Sequence, residues 1–204
     1  MATGGELNWP LEAIVLAAGF GARFGGGKLT APWRGGVLID GALAAAFAAP
    51  VRSVTVVTGA DAKVDAAARG FAEREGQAAR LRLVHCADHA EGMGATLRAG
   101  VASLASDAAG VFVFLGDMPL IPPAVLPALA AAVRAGAPAA APRFEGQRGH
   151  PVLFSAALLG QLRALAGDEG ARSVLRGLGE RLALVETLDR GVLVDIDRPE
   201  DLPA

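Results

Sequence analysis

Leu16-Ala-Ala-Gly-Phe-Gly-Ala-Arg-Phe-Gly-Gly-Gly-Lys28 continues the short apolar run that begins at Ala13, and the reading of this junction decides the fold. A short apolar run bounded by glycines fits a buried strand. The glycines after it leave backbone N–H groups bare of side chains, able to turn toward the oxygens of a phosphate. Two well-known glycine motifs fail on particular residues. The P-loop needs Gly where Ala22 stands and Ser or Thr where Leu29 stands. The dinucleotide fingerprint starts correctly at Gly19 and Gly21, then meets Phe24 where Gly or Ala must admit a closely packed helix. The segment is also positive. From Ala13 to Ile39 there is no acidic residue, while Arg23, Lys28 and Arg34 all lie there, in a chain whose formal net charge is -2. Lys28 and Lys63 are the chain's only lysines, and a compact ammonium at the end of a glycine loop suits a phosphate partner.

Outward from this junction, strands alternate with helices. Strand-like runs are Ala13 to Leu16, Val54 to Thr58, Leu81 to His85, Val111 to Leu115, Ala139 to Pro142, Val152 to Phe154 and Leu182 to Glu186. Between them lie Ala-, Leu- and Arg-rich stretches of helical character: Gly41 to Ala49, Ala62 to Glu75, Ala95 to Ala105, Pro123 to Ala135, Ala156 to Ala166 and Ala171 to Leu178. This alternation predicts an α/β fold with a doubly wound, mostly parallel sheet, residues 1–204 forming a single domain. In such sheets ligands bind beyond the carboxyl ends of the strands. That rule selects three loops: Ala17 to Lys28, Cys86 to Gly94 and Gly116 to Pro119.

The third loop carries the chemistry that complements the first. Val111-Phe-Val-Phe-Leu115 delivers Gly116-Asp117-Met118-Pro119, which sets Asp117 at the end of a buried strand. Mg²⁺ takes one or two protein carboxylates and completes its octahedron with water and substrate phosphates, so a single well-placed Asp suits it. Glu91-Gly-Met-Gly-Ala-Thr-Leu97 opens a helix with free N–H groups at its positive end, able to meet an anion or a base edge.

Composition narrows the class. The balance of 19 basic and 21 acidic side chains excludes a general nucleic-acid binder. No apolar stretch reaches the roughly 18 residues of a membrane span. Met1 to Pro10 contain Glu6 and no Lys or Arg, which lacks the pattern of a secretory signal and sets the expectation of a cytoplasmic protein. Cys86 is the only cysteine, so no internal disulfide forms, and its expected role is core packing. His85 and His89 have no companion ligands at zinc spacing.

The glycine run resembles the signature Leu-x-Ala-Gly-x-Gly-x-Arg of nucleotidyltransferases that join a nucleoside triphosphate to a phosphorylated acceptor. Extended through Lys28-Leu-Thr-Ala-Pro32, it is similar to the molybdenum-cofactor cytidylyltransferases of the MobA-like family. The resemblance implies a Rossmann-like sheet of the nucleotide-diphospho-sugar transferase type and assigns Leu16, Ala17, Ala18, Gly19, Gly21, Arg23 and Lys28 to the triphosphate. It makes Arg23, Lys28 and Asp117 catalytic, with Mg²⁺ as cofactor. Asp117 becomes a metal ligand, and a second ligand comes from Asp195-Ile-Asp197-Arg-Pro-Glu-Asp201, where Asp197 matches better and Asp195 is the alternative. Asp197 as a helix N-cap before Pro199 is the other reading of that residue.

The same resemblance lays Gly92, Gly94 and Thr96 against base and ribose, and His150, in Gly149-His-Pro-Val-Leu-Phe154, on the acceptor side. Gly167-Asp-Glu-Gly-Ala-Arg172 resembles a further acceptor segment, or is a helix start capped by Asp168. Ala18 places the chain nearer the CTP branch than the GTP branch, with a molybdopterin-type acceptor and a molybdenum hydroxylase as recipient of the product. One departure concerns the acceptor pocket: Gly35-Gly-Val-Leu38 stands where the family commonly has Gly-x-Pro-Leu. Two other assignments remain open: a sugar- or polyol-phosphate nucleotidyltransferase, and a noncatalytic carrier of finished cofactor.

Overall fold

A computed structural model describes residues 9–19, 21, 24–59, 61–167 and 170–202. Among these, ten strands appear: β1 (Leu11–Ala17), β2 (Pro32–Trp33), β3 (Gly36–Val37), β4 (Val54–Thr58), β5 (Leu81–His85), β6 (Gly110–Leu115), β7 (Ala139–Phe144), β8 (Gln147–Arg148), β9 (Val152–Ser155) and β10 (Leu182–Glu186). Six α-helices accompany them: α1 (Ile39–Ala48), α2 (Lys63–Arg74), α3 (Met93–Ala102), α4 (Leu126–Arg134), α5 (Leu159–Arg163) and α6 (Arg172–Leu178). The main sheet runs β10-β7-β9-β6-β1-β4-β5, with β8 paired to β7, while β2 and β3 form a separate small hairpin.

All seven sequence-predicted strands are present, and the sheet is parallel except at β8 and β9. β9 runs antiparallel to both β6 and β7, and β8 antiparallel to β7. Alternation along the central strands sorts side chains to two faces. Ala13 and Val15 of β1 join Phe112 and Phe114 of β6 in one buried cluster, beneath α1, α2 and α4. Ile14, Val111 and Val113 point the other way, into a second cluster with residues of α3, α5 and α6. Both faces of β1 and β6 are thus covered, which is why these strands read as continuous apolar runs. Cys86 is buried in the second cluster, a packing residue as expected. Gly100 of α3 lets the helix approach the sheet: a Cβ there would come within 2.9 Å of Val57 and 3.0 Å of Ile14. Among the described residues no helix is long and apolar enough to cross a membrane.

Candidate active site

The ends of β1 and β6 are fastened where the site begins, Gly116 N donating to Leu16 O at 2.9 Å. Beyond β1 the chain closes on Gly21, whose carbonyl accepts from Phe24 N at 2.9 Å and Gly26 N at 3.2 Å. Gly21 has φ 63°, and a Cβ on it would lie 2.9 Å from the Cβ of Lys28. The loop therefore folds back directly against Lys28, which opens a short 3-10 turn, Lys28–Thr30. Arg23 lies outside the described residues.

Lys28 joins the loop to the carboxylates. Its Nζ donates to Asp117 Oδ2 at 2.7 Å and to Asp197 Oδ1 at 3.2 Å. Burial of the ammonium works to lower its pKa, yet the adjacent Asp117 and Asp197 carboxylates outweigh burial and hold it above the usual lysine value. Asp197 reaches this point because Ile196 N donates to the backbone carbonyl of Asp117 at 3.0 Å, strapping the late segment beside the end of β6. The N-cap reading of Asp197 is not what the structure shows: Asp201 Oδ2 accepts from the N–H groups of Asp197 and Arg198, at 3.0 and 2.8 Å. Asp195 is exposed and makes no bond to Lys28. The two carboxylates that converge on one cationic point are Asp117 and Asp197.

A cavity of about 260 Å³ opens over the loop, lined by Leu16, Ala17, Ala18, Gly19, Gly21, Lys28 and Asp117, with Gly92 and Thr96 opposite. Nine of the sequence-selected residues thus meet in one hollow. Gly94 does not. Its N–H is already donated to Gly167 O at 2.9 Å, and a Cβ there would meet that oxygen at 2.6 Å, so it packs α3 onto the 166–167 segment and faces away from the cavity. Thr96 is buried, and its hydroxyl donates to Gly92 O at 3.3 Å, closing the helix start.

Sequence reasoning missed His89 and Met93, both of which line the same cavity. The loop rule selects Cys86 to Gly94, but Met93 is given no role there and His89 is weighed only as a zinc ligand. The imidazole of His89 fits because Gly59 and Ala18 are small: a Cβ on Gly59 would come within 2.8 Å of the ring and 2.9 Å of the Ala18 methyl.

His150 lines a second, smaller cavity of about 90 Å³, together with Arg148, Arg172 and apolar side chains, among them Leu16, Met93 and Leu115, which both cavities share. The backbone of His150 is held by Val192 O at 2.9 Å, whereas its enclosed Nδ1 has no partner among the described residues. Burial, with Arg148 and Arg172 adding to it against Asp117, holds its pKa down to about 4, so the ring is neutral near pH 7. Asp168 of the neighbouring segment lies outside the described residues. A larger hollow, of about 740 Å³, lies at the opposite pole of the sheet around Trp9, Pro50 and Arg134, away from the glycine loop.

A mostly parallel sheet with a glycine loop, an ammonium and paired carboxylates at its carboxyl pole is the arrangement of an α/β nucleotidyltransferase of the nucleotide-diphospho-sugar transferase fold. The chain belongs to the MobA-like NTP transferase domain family, whose model matches residues 13–184. It is 32% identical to purine catabolism protein PucB of Bacillus subtilis, over 94% of this chain and 93% of that protein. It is 26% identical to the molybdenum cofactor cytidylyltransferase of Escherichia coli, again over 94% and 93%. Among solved structures it resembles Rv0371c of Mycobacterium tuberculosis with a TM-score of 0.77 and 26% identity, covering 95% of this chain and 96% of that one.

Proposed function

We propose that this chain transfers CMP from CTP to the terminal phosphate of a molybdopterin-type cofactor and releases pyrophosphate. The observation that carries the reading is the meeting of the glycine loop with Asp117 and Asp197 through Lys28. In the reaction a phosphate oxygen of the acceptor attacks the α-phosphorus in line. A new P–O bond forms, the bond to the β-phosphate oxygen breaks, and pyrophosphate leaves with that electron pair. No covalent bond to the protein is needed, so catalysis is positioning and charge.

The backbone of Ala17, Ala18, Gly19 and Gly21 and the Lys28 ammonium receive the triphosphate, Arg23 adds its charge by the family resemblance, and these groups counter the charge building on the departing pyrophosphate. Two carboxylates reaching one cationic point fit the one or two protein ligands that Mg²⁺ takes, and Asp117 and Asp197 would hold it. When bound, Mg²⁺ supplies positive charge to the phosphate oxygens. A solved Mycobacterium tuberculosis neighbour is a complex with manganese. Gly92, Thr96 and Ala18 face base and ribose, and Ala18 together with the Escherichia coli relative supports CTP. The second cavity, with neutral His150 beside Arg148 and Arg172, serves the acceptor and its anionic group. A molybdenum hydroxylase is the proposed recipient of the product.

The test is pyrophosphate release with CTP or GTP, magnesium and molybdopterin-type acceptor. CTP is the expected substrate, and Asp117→Asn should abolish turnover while the melting curve stays that of a folded protein. Turnover that survives in the variant would remove Asp117 from the mechanism. Preference for GTP would overturn the base assignment alone.

A further inference from the structure

We infer that Lys28 holds the place between Asp117 and Asp197 against a divalent cation, so that metal and nucleotide enter this site as coupled partners. The inference rests on the proposed function and concerns the order in which that site fills. The Lys28 Nζ takes one oxygen from each carboxylate, at 2.7 Å from Asp117 and 3.2 Å from Asp197. Its side chain is only 12% exposed, against 25% for Asp117 and 44% for Asp197, so Lys28 is the least exposed of the three. A divalent ion bridging those same two oxygens would have to displace the ammonium. Placed on the remaining oxygens, it would sit within a few ångströms of a like charge in a partly buried setting, where repulsion is poorly screened.

The ammonium has somewhere else to go. Lys28 begins a turn whose backbone is fixed by Ala31 N donating to Lys28 O at 3.2 Å and Thr30 N to Gly27 O at 3.1 Å. Its flexible four-carbon stem allows the charge to move by several ångströms while that turn stays in place. The cavity beside it is lined by Gly19 and Gly21, and a Cβ on Gly19 would meet nothing within 4 Å among the described residues, so at Gly19 the loop offers open space for phosphate oxygens and for an ammonium that binds them. A triphosphate on the loop provides the second seat for the ammonium and frees both carboxylates. Each ligand then raises the affinity of the other by the same factor. Lys28 is in this sense a positioning residue for the metal as well as a partner for the phosphates.

The test is Mn²⁺ binding to the nucleotide-free protein, read from the paramagnetic resonance signal of the free ion. Lys28→Met is expected to bind Mn²⁺ about tenfold or more tightly than the unaltered protein. Lys63→Met removes the same charge from the only other lysine and should change Mn²⁺ affinity by less than about twofold. Lys28→Gln, which removes the charge but keeps a hydrogen-bond donor, is read in the same way should the Met variant fail to fold. Affinity in the Lys28 variants equal to or weaker than that of the unaltered protein, or no Mn²⁺ bound at all, overturns the inference. So does an equal gain in Lys63→Met, which would show a bulk-charge effect only. The double variant Lys28→Met with Asp117→Asn separates the two claims. If it binds Mn²⁺ as tightly as Lys28→Met alone, the carboxylate metal site of the proposed function has failed. If it loses that binding while Lys28→Met shows no gain over the unaltered protein, the coupling inference alone has failed.

Discussion

At Gly21 the backbone is left-handed and a side chain would press on Lys28, whereas Gly19 is exposed, has no such φ, and would meet nothing among the described residues within 4 Å of an added Cβ. The fold of the loop thus requires a glycine at Gly21 but not at Gly19, which the proposed function assigns to the approach of the phosphates. Gly21→Ala should cost about 1 to 2 kcal/mol in denaturant unfolding, from the left-handed conformation alone. Gly19→Ala should leave stability within about 0.5 kcal/mol and weaken CTP binding in calorimetry, because its methyl stands where phosphate oxygens arrive. Equal CTP affinity in Gly19→Ala and the unaltered protein would show that phosphates do not approach there.

His150 supplies a second residue-scale prediction, in pH. Burial first, then Arg148 and Arg172, keeps its pKa near 4, while an unfolded histidine titrates near 6.5. Between those values the unfolded chain binds a proton that the folded chain does not, so stability falls as pH falls through that window and is unaffected above it. The loss approaches about 3 kcal/mol below the lower value. Urea unfolding of the unaltered protein and His150→Gln at pH 7.5 and pH 4.5 measures the difference, and parallel pH dependence in the two would sink it.

Among the elements, the strands were legible because each is a short apolar run with glycine, proline or polar residues at its ends, and both faces of β1 and β6 are buried. Strand direction was not. An apolar run such as Val152 to Phe154 carries no polarity of its own, and β9 runs antiparallel because the short β8 excursion returns the chain beside β7. The β2 and β3 hairpin, with two residues in each strand, offers too short a pattern to be read. The glycine loop, Lys28 and Asp117 were legible because they sit at strand ends, where sequence position translates directly into place. The resemblance already prefers Asp197 to Asp195, but what brings Asp197 to Lys28 is the bond from Ile196 N to Asp117 O, a contact across the molecule that no local pattern contains.

Gly94 is the converse case, a helix-start glycine whose purpose is packing. Arg98 of the same helix donates to Leu165 O at 2.9 Å, so α3 is fastened to the 165–167 segment at two successive turns. Gly94→Ala forces a methyl against the Gly167 carbonyl and should cost about 1 to 3 kcal/mol, with faster hydrogen exchange at the residue-94 amide. Unchanged exchange there would mean that the contact does not hold the helix.

Across the whole molecule the sheet separates chemistry from stability by its two poles. The carboxyl pole carries the loop and Asp117, while the amino pole carries Glu12, a fully buried carboxylate on β1. Glu12 Oε1 accepts from Arg52 Nη2 at 2.6 Å and Nε at 3.0 Å, and Glu12 Oε2 accepts from the Ser53 hydroxyl at 3.2 Å. Arg52 also bonds Asp107, which ties the entrances of β1, β4 and β6 into one knot. Removing the guanidinium takes away the two shortest hydrogen bonds of a buried charge and leaves it the Ser53 hydroxyl, the Ala105 N–H and Arg82 at 3.5 Å, a change that costs about 3 kcal/mol, the lower end for a broken buried pair. For a chain of this size each kcal/mol lowers the melting temperature by about 2 to 4 °C, so Arg52→Met should melt roughly 6 °C lower or more. Its pyrophosphate release at 25 °C should be unaltered, because no group at the amino pole touches the site and the site's own fastenings, Gly116 to Leu16 and Ile196 to Asp117, remain. Thermal melts and turnover measured on the same preparation decide the matter. A variant that loses turnover in proportion to its stability would show that β1 transmits strain along its length to the loop, and the two poles would have to be treated as one unit.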